Sequence, residues 1–223
     1  MRRMLLLALA LLLLPIASLL WSGAGGVEQP ADFRFINRGE IKTLDPNRMS
    51  WLQDIRIGSA LWEGLYVLSS KDLEPELAAA DRVDVSDDQL VHTFHLRDGA
   101  RWSNGDPVVS RDFAFAWRRM LEQPGDYTYL FYYIEGAQAY SEGFAASDSQ
   151  KPVKFEDVGI EVLDDRTLRV KLKHPVTYFP DVLAFAPFYP LHEPSMRKYA
   201  RTDEATRRVT YDQGFTKPPD LVT

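Results

Sequence analysis

Thr93-Phe94-His95-Leu96-Arg97-Asp98-Gly99-Ala100-Arg101-Trp102-Ser103-Asn104-Gly105-Asp106-Pro107-Val108-Val109-Ser110-Arg111-Asp112-Phe113 is the stretch that decides the fold. It opens as a strand, because Phe94 and Leu96 alternate with His95 and Arg97 at the period of two that splits a strand into two faces. Asp98-Gly99 and Asn104-Gly105 then read as turns, since glycine reaches positive φ without a steric cost. Ser110 is expected to cap the helix that follows, with Asp112 in its electropositive first turn. That helix is expected to run to about Leu121, with Phe113, Ala116, Trp117, Met120 and Leu121 on its apolar face and Phe115 on the flank.

Outward from this stretch, two segments share one pattern. Val85 to Leu96, with Asp87-Asp88, and Val162 to Leu172, with Asp164-Asp165, each place an Asp-Asp pair between alternating runs. Both are expected to be β-hairpins. In the second, Ile160, Val162, Leu168, Val170 and Leu172 should face a core while Arg169 and Lys171 face water. Upstream, Asp32 to Ile36 is expected to form an opening strand, and Pro46 biases Asp45 toward extended backbone. From Asp54 to Tyr66, the residues Ile57, Ala60, Leu61 and Leu65 fall at helical spacing and are expected to form one buried face ending near Gly64.

Composition closes several function classes. The 223 residues contain no Cys, so a disulfide framework, a thiolate metal site and a thiol nucleophile are all excluded. A net charge of −6, with no block of Lys or Arg, argues against nucleic acid as a partner. The N-terminus reads as an export signal at residues 1–24: Arg2 and Arg3, an apolar run from Met4 to Trp21, then Ser22-Gly23-Ala24. Cleavage after Ala24 is expected; the alternative is an uncleaved membrane anchor. Either outcome puts the remainder outside the cytoplasm.

No catalytic constellation appears, and the chain is not expected to be an enzyme. Adjacent carboxylates on a turn point apart into water, whereas paired catalytic carboxylates converge across a cleft. His92 and His95 lie three apart in a strand and so point to opposite faces, which prevents them from chelating one ion. His174 and His192 stand alone beside prolines. No metal and no cofactor is called for.

The runs Thr93 to Arg97 and Trp102 to Pro107, followed by Asp112-Phe113 and Trp117-Arg118-Arg119, resemble the signature of the extracytoplasmic solute-binding proteins of peptide ABC transporters, the oligopeptide- and dipeptide-binding family 5. Flanking elements agree in order: Thr43-Leu44-Asp45-Pro46, Leu61-Trp62-Glu63-Gly64-Leu65, Leu77-Ala78, Val158 to Leu172, and Pro175-Val176-Thr177-Tyr178-Phe179. The resemblance covers residues 33 to 223. It implies an α/β, mixed α+β fold of the periplasmic binding protein-like class II, containing the first part of lobe I and a small inserted domain, with the second lobe missing. The implied division is 25–70 for the start of lobe I, 71–185 for the inserted domain with both hairpins, and 186–223 for the return into lobe I.

By the same resemblance the chain is expected to be a front portion of a longer protein. Family members hold extended peptides between two lobes by main-chain hydrogen bonds, with roomy pockets for side chains. The resemblance implies that the lobe carrying the acidic residue that usually holds a peptide's amino terminus is not expected within these 223 residues. The implied ligand-binding residues are Ser50, Trp51 and Leu52 in a ligand-facing loop, and Tyr127, Tyr129 and Tyr132 in an aromatic stretch. Family members often have an acidic side chain where Ser50 stands, and Tyr127 to Tyr133 reads equally well as core and rim packing. The implied partners are short peptides and an ABC transporter permease in the inner membrane, with the chain itself a monomer. The alternatives are a binder or sensor of nickel, haem, sugar or another small molecule, and an envelope protein-interaction module on the same fold.

Overall fold

The two Asp-Asp hairpins are halves of a single sheet. In a computed structural model describing residues 35–145, 154–204 and 208–223, strands β3 (Ala80–Val85), β4 (Val91–Leu96), β5 (Ile160–Asp164) and β6 (Thr167–Lys171) form a four-stranded antiparallel sheet in the order β3-β4-β6-β5. The inner strands pair His92 with Val170 and Phe94 with Leu168. That register puts Phe94, Leu96, Leu168, Val170 and Leu172 on one fully buried face. His92 lies on this face, its ring against Phe179, while His95 turns to the other face and meets Asp84 at 2.8 Å.

The turns differ in detail from their sequence reading. The first runs from Ser86 to Leu90 with Gln89 at φ 58°, and Asp88 shapes it by accepting from the Ser86 hydroxyl and the Leu90 N–H. Those two bonds hold the Asp88 carboxyl below the usual carboxylate range. In the second, Asp164 is the last residue of β5 and Asp165-Arg166 make the turn; Asp164 accepts the Arg166 N–H at 2.8 Å. Val162 shares the face of its register partner Leu168 but is 42% exposed, because β5 is an edge strand.

Helix α1 (Leu52–Leu61) departs most from expectation. It stops before Trp62, whose backbone is extended, so Leu65 is buried outside the helix. Ala60 and Leu61 are exposed, Ile57 is half-exposed, and the buried side carries Asp54 and Gly58 instead. Met49 lies over Gly58, where an added Cβ would stand 2.5 Å from the Met49 Sδ. The predicted apolar stripe is therefore a surface. Phe35 and Ile36 form no strand, and the rest of the expected opening strand, like the signal segment, lies outside the described residues.

Helix α2 (Ser110–Glu122) covers the buried face of the sheet. Phe113, Ala116, Trp117, Met120 and Leu121 are buried, as the periodicity predicts. Trp117 is ringed edge-on by Phe113, Phe131 and Phe188 and donates its indole N–H to the Phe188 carbonyl at 2.9 Å. Ser110 is not the cap: Val109 is, and the Ser110 hydroxyl donates to the Asp164 carbonyl of the second hairpin. Asp112 closes the first turn by accepting the Val109 N–H at 3.0 Å.

The same Asp112 oxygen accepts the indole N–H of buried Trp102 at 2.9 Å, which joins two parts of the deciding stretch. Burial pushes the Asp112 carboxyl above its usual range, against the opposing pull of these donors and of His192 and Arg111. Gly99 and Gly105 have φ of +75° and +92°, so both turns form as expected.

Helices α3 (Ala137–Ala145), α4 (Phe179–Leu183) and α5 (Glu193–Met196), with the ribbons β1–β2 (Tyr66–Leu68, Pro75–Leu77) and β7–β8 (Ala200–Thr202, Val209–Tyr211), complete the compact unit from Arg38 to Thr223. Phe35–Asn37 lie outside that unit.

Candidate functional site

The chain reaches the Ser50–Leu52 loop through a buried polar junction. Asp45 is extended (φ −88°, ψ 109°), as the following proline requires, and caps the short 3-10 turn Pro46–Arg48 by accepting the Asn47 N–H. Its carboxylate receives Arg119 of α2 as a fork, Nη1 to Oδ1 at 2.8 Å and Nη2 to Oδ2 at 2.6 Å. Arg119 Nη1 also donates to Asn47 Oδ1 at 2.9 Å, Asn47 Nδ2 donates to the Pro187 carbonyl, and Gln213 Nε2 donates to Asp45 Oδ2. Asp45 and Arg119 are both buried. Arg48 then donates to the Pro124 carbonyl at 3.0 Å; burial, with repulsion from Arg119 next, lowers its guanidinium pKa.

Beyond buried Met49 the loop turns outward. Trp51 and Leu52 are 59% and 65% exposed at the start of α1, an uncommon placement for two large apolar side chains side by side. The aromatic stretch meets this loop at Ser50. The Tyr127 hydroxyl is 3.5 Å from the Ser50 carbonyl, and its ring stands edge-on to Phe185 with centroids 4.8 Å apart. Tyr129 is exposed beside Tyr127, centroids 6.4 Å apart. Tyr132, in the 3-10 turn Thr128–Tyr133, is half-buried and packs against the main core.

The structure thus joins Ser50 to Tyr127, and Tyr129 to Tyr127. It adds residues the sequence reading passed over. Ile55 and Ser59 follow Trp51 at helical spacing on α1, and with Leu68, Leu130, Val182 and Phe185 they line an open groove of about 300 Å³. Asp181 is the one charged residue of its lining. Phe185 belongs both to this groove and to the Tyr127 contact. Its only sequence signal was an apolar residue in the proline-punctuated run from Pro180 to Pro190, which reads as core.

Chemically these residues offer aromatic and aliphatic contact area, with the Ser50 carbonyl and the Tyr127 hydroxyl beside it. Among the described residues no group of three or more His, Asp or Glu side chains is placed to hold a metal ion.

The comparisons with known proteins agree with this architecture. The profile of the bacterial extracellular solute-binding proteins, family 5 Middle, matches residues 72–218. The dipeptide-binding protein DppE of Bacillus subtilis is 39% identical over 163 residues, covering 70% of this chain and 28% of that protein. The periplasmic oligopeptide-binding protein OppA of Escherichia coli is 31% identical over 191 residues, covering 84% of this chain and 31% of that one. Among solved structures, Haemophilus influenzae OppA in complex with RPPGFSPFR superposes with a TM-score of 0.69 at 28% identity, over 83% of this chain and 33% of its own. The chain spans about a third or less of the length of these relatives. With the motifs, the sheet and the profile in agreement, the chain belongs to the bacterial extracellular solute-binding proteins of family 5.

Proposed function

We propose that this chain is part of the substrate-binding component of a peptide ABC transporter, and that Ser50, Trp51, Leu52, Tyr127, Tyr129 and Tyr132 belong to one wall of its peptide cleft. The single observation that carries the reading is that Tyr127 reaches both the Ser50 carbonyl, next to exposed Trp51 and Leu52, and Phe185, which lines an apolar groove. A peptide laid on this wall gives its side chains contact area, while its backbone bonds to polar groups at the margin. The groove lining includes no basic side chain and only one acidic one, which suits peptides of varied sequence.

On this reading residues 25–70 and 186–223 belong to one lobe, residues 71–185 to the inserted domain, and an opposing lobe closes over the ligand by a hinge. The processed protein works outside the cytoplasm as a monomer and delivers peptide to a permease in the inner membrane. The family's names support a binding role over a catalytic one.

One wall alone leaves a peptide largely hydrated. The chain should bind a pool of short peptides no better than roughly millimolar, about −4 kcal/mol. A form extended to the relatives' full length should bind far more tightly and should release short peptides on denaturation, seen by mass spectrometry. Micromolar binding by this chain alone would refute the single-wall reading. A full-length form that carries metal, haem or sugar and no peptide would overturn the peptide reading itself.

A further inference from the structure

We infer that Arg119 is a positioning residue for the Ser50–Leu52 loop, holding from behind the segment that presents Trp51 and Leu52. Its consequence for ligand affinity rests on the peptide-wall reading; its consequence for the loop does not.

The argument starts from what holds the loop. Trp51 and Leu52 are mostly in water, so their own packing does little to fix them. Just before them, residues 45–47 are tied to three distant parts of the chain: Arg119 on α2, Pro187, and Gln213. Arg119 is central, because it takes both oxygens of Asp45 and the Asn47 side-chain carbonyl at once. A guanidinium fork fixes the angle and the distance of its partner, which a point charge does not. Both charges are buried, so a slip that broke the fork would leave an unpaired ion out of water. The loop backbone therefore has one arrangement that satisfies the junction. From there only Arg48 and Met49 intervene before Ser50, and Met49 is clamped on Gly58. Tyr211 and Phe215 stand near the guanidinium carbon, at 5.6 and 5.7 Å from their ring centroids, so its position is itself enclosed.

A wall residue held in place before ligand arrives avoids the ordering cost that weakens binding by mobile side chains. Arg119 does this for Trp51 and Leu52 without touching the ligand surface. Neither Asp45 nor Arg119 shows an apolar stripe or a local motif that would mark the role.

The test uses the processed chain labelled with nitrogen-15, with the Trp51 indole N–H peak assigned through Trp51→Phe. Trp62, Trp102 and Trp117 are buried, so dispersed indole peaks from them show that the core of each variant is folded. Arg119→Lys keeps the charge and loses the fork; Asn47→Ala leaves the ion pair and removes two bonds of the junction, from Arg119 and to the Pro187 carbonyl; Asn47→Asp keeps the acceptor for Arg119 and loses only the Pro187 bond, so its effect is subtracted; Leu168→Ala weakens the sheet elsewhere. Without ligand, the Trp51 peak should shift or broaden in Arg119→Lys and Asn47→Ala and stay in place in Leu168→Ala. Titrated with the nonapeptide RPPGFSPFR, Arg119→Lys should bind about tenfold more weakly than the wild type. Folded Arg119→Lys and Asn47→Ala chains with an unmoved Trp51 peak would overturn the inference. If Arg119→Lys does not fold, Asn47→Ala compared with Asn47→Asp decides: a Trp51 peak moved equally in both would assign the loop to the Pro187 bond and overturn the inference. A wild-type Trp51 peak that ignores the peptide would sink the peptide-wall reading, while the ligand-free spectra would still decide the role of Arg119.

Discussion

Replacing Trp102 by Phe should cost more stability at neutral pH than in acid. The indole N–H and the Val109 N–H converge on one oxygen of Asp112, a carboxyl that burial has already pushed above its usual range. Such a raised group favours the folded chain below its unfolded pKa of about 3.9 and loses that contribution as pH rises through the higher folded value. The indole bond opposes the rise by stabilising the anion, so Trp102→Phe raises the folded pKa further and more stability is lost on ionisation. A hydrogen bond to a charged acceptor is worth about 1.5–3 kcal/mol and a neutral one about 0.5–1.5, so the two conditions should differ by about 1 kcal/mol. The lost ring adds about 1–2 kcal/mol at both. The total is about 3–4 kcal/mol with the carboxyl ionised and about 2–3 kcal/mol with it protonated. In urea, with a slope of about 2 kcal/mol/M, the midpoint should fall by about 1.5–2 M on the alkaline side of the Asp112 titration and by about 0.5 M less on its acid side. Asp112→Asn is the control, since the pH difference should vanish in that background. Equal midpoint shifts on the two sides of that titration in the wild-type background would refute the reasoning.

Three further outcomes are expected. Gly105→Val places a β-branched residue at φ +92°, where no neighbour lies within 4 Å, so a backbone cost on the order of 1–2 kcal/mol should appear as a lower melting temperature. Asp45→Ala strands buried Arg119 and should cost about 3–5 kcal/mol, whereas Asp45→Leu with Arg119→Met should recover most of it; equal losses in the single and double variants in a denaturation series would show that the charge is not the issue. N-terminal sequencing of the exported protein should begin near Gly25, and an intact Met1 on membrane-attached protein would mean an anchor.

The sheet and α2 were legible because period-two and period-3.6 patterns are local. Leu168, Val170 and Leu172 alternate with charged residues, and Phe113 to Leu121 keep helical spacing, so each face could be assigned with its partners unknown. Helix α1 misled because Ile57, Ala60 and Leu61 carry a core-like period on a surface, while the buried side holds Asp54 and Gly58 for reasons that lie in Met49 and Lys42. Ser110 looked like a cap by residue type, but its hydroxyl is taken by a hairpin 54 residues away. Asp45 and Arg119 both stood in quoted motifs, yet nothing local announces a pair 74 residues apart. The wall was legible only by resemblance. Leu130 and Phe185 have no distinguishing chemistry, and only the fold sets them beside Ile55 and Ser59 of α1 in one groove.

The strand order β3-β4-β6-β5 has a consequence for chain entropy. Each hairpin closes a loop of a few residues, but the seam between β4 and β6 joins His95 to Thr167, a closure of about 70 residues. From about five residues to about 70 is close to four doublings, so the seam demands about 2 kcal/mol more in lost loop freedom than a hairpin turn does. Ladder bonds at the seam are of the same kind as those in the hairpins, so that difference must come from burial of Phe94 and Leu168 beneath α2. Helix α2 and the stretch from Tyr127 to Tyr133 lie inside the loop being closed, so the aromatic half of the wall reaches its position only when the two hairpins have met.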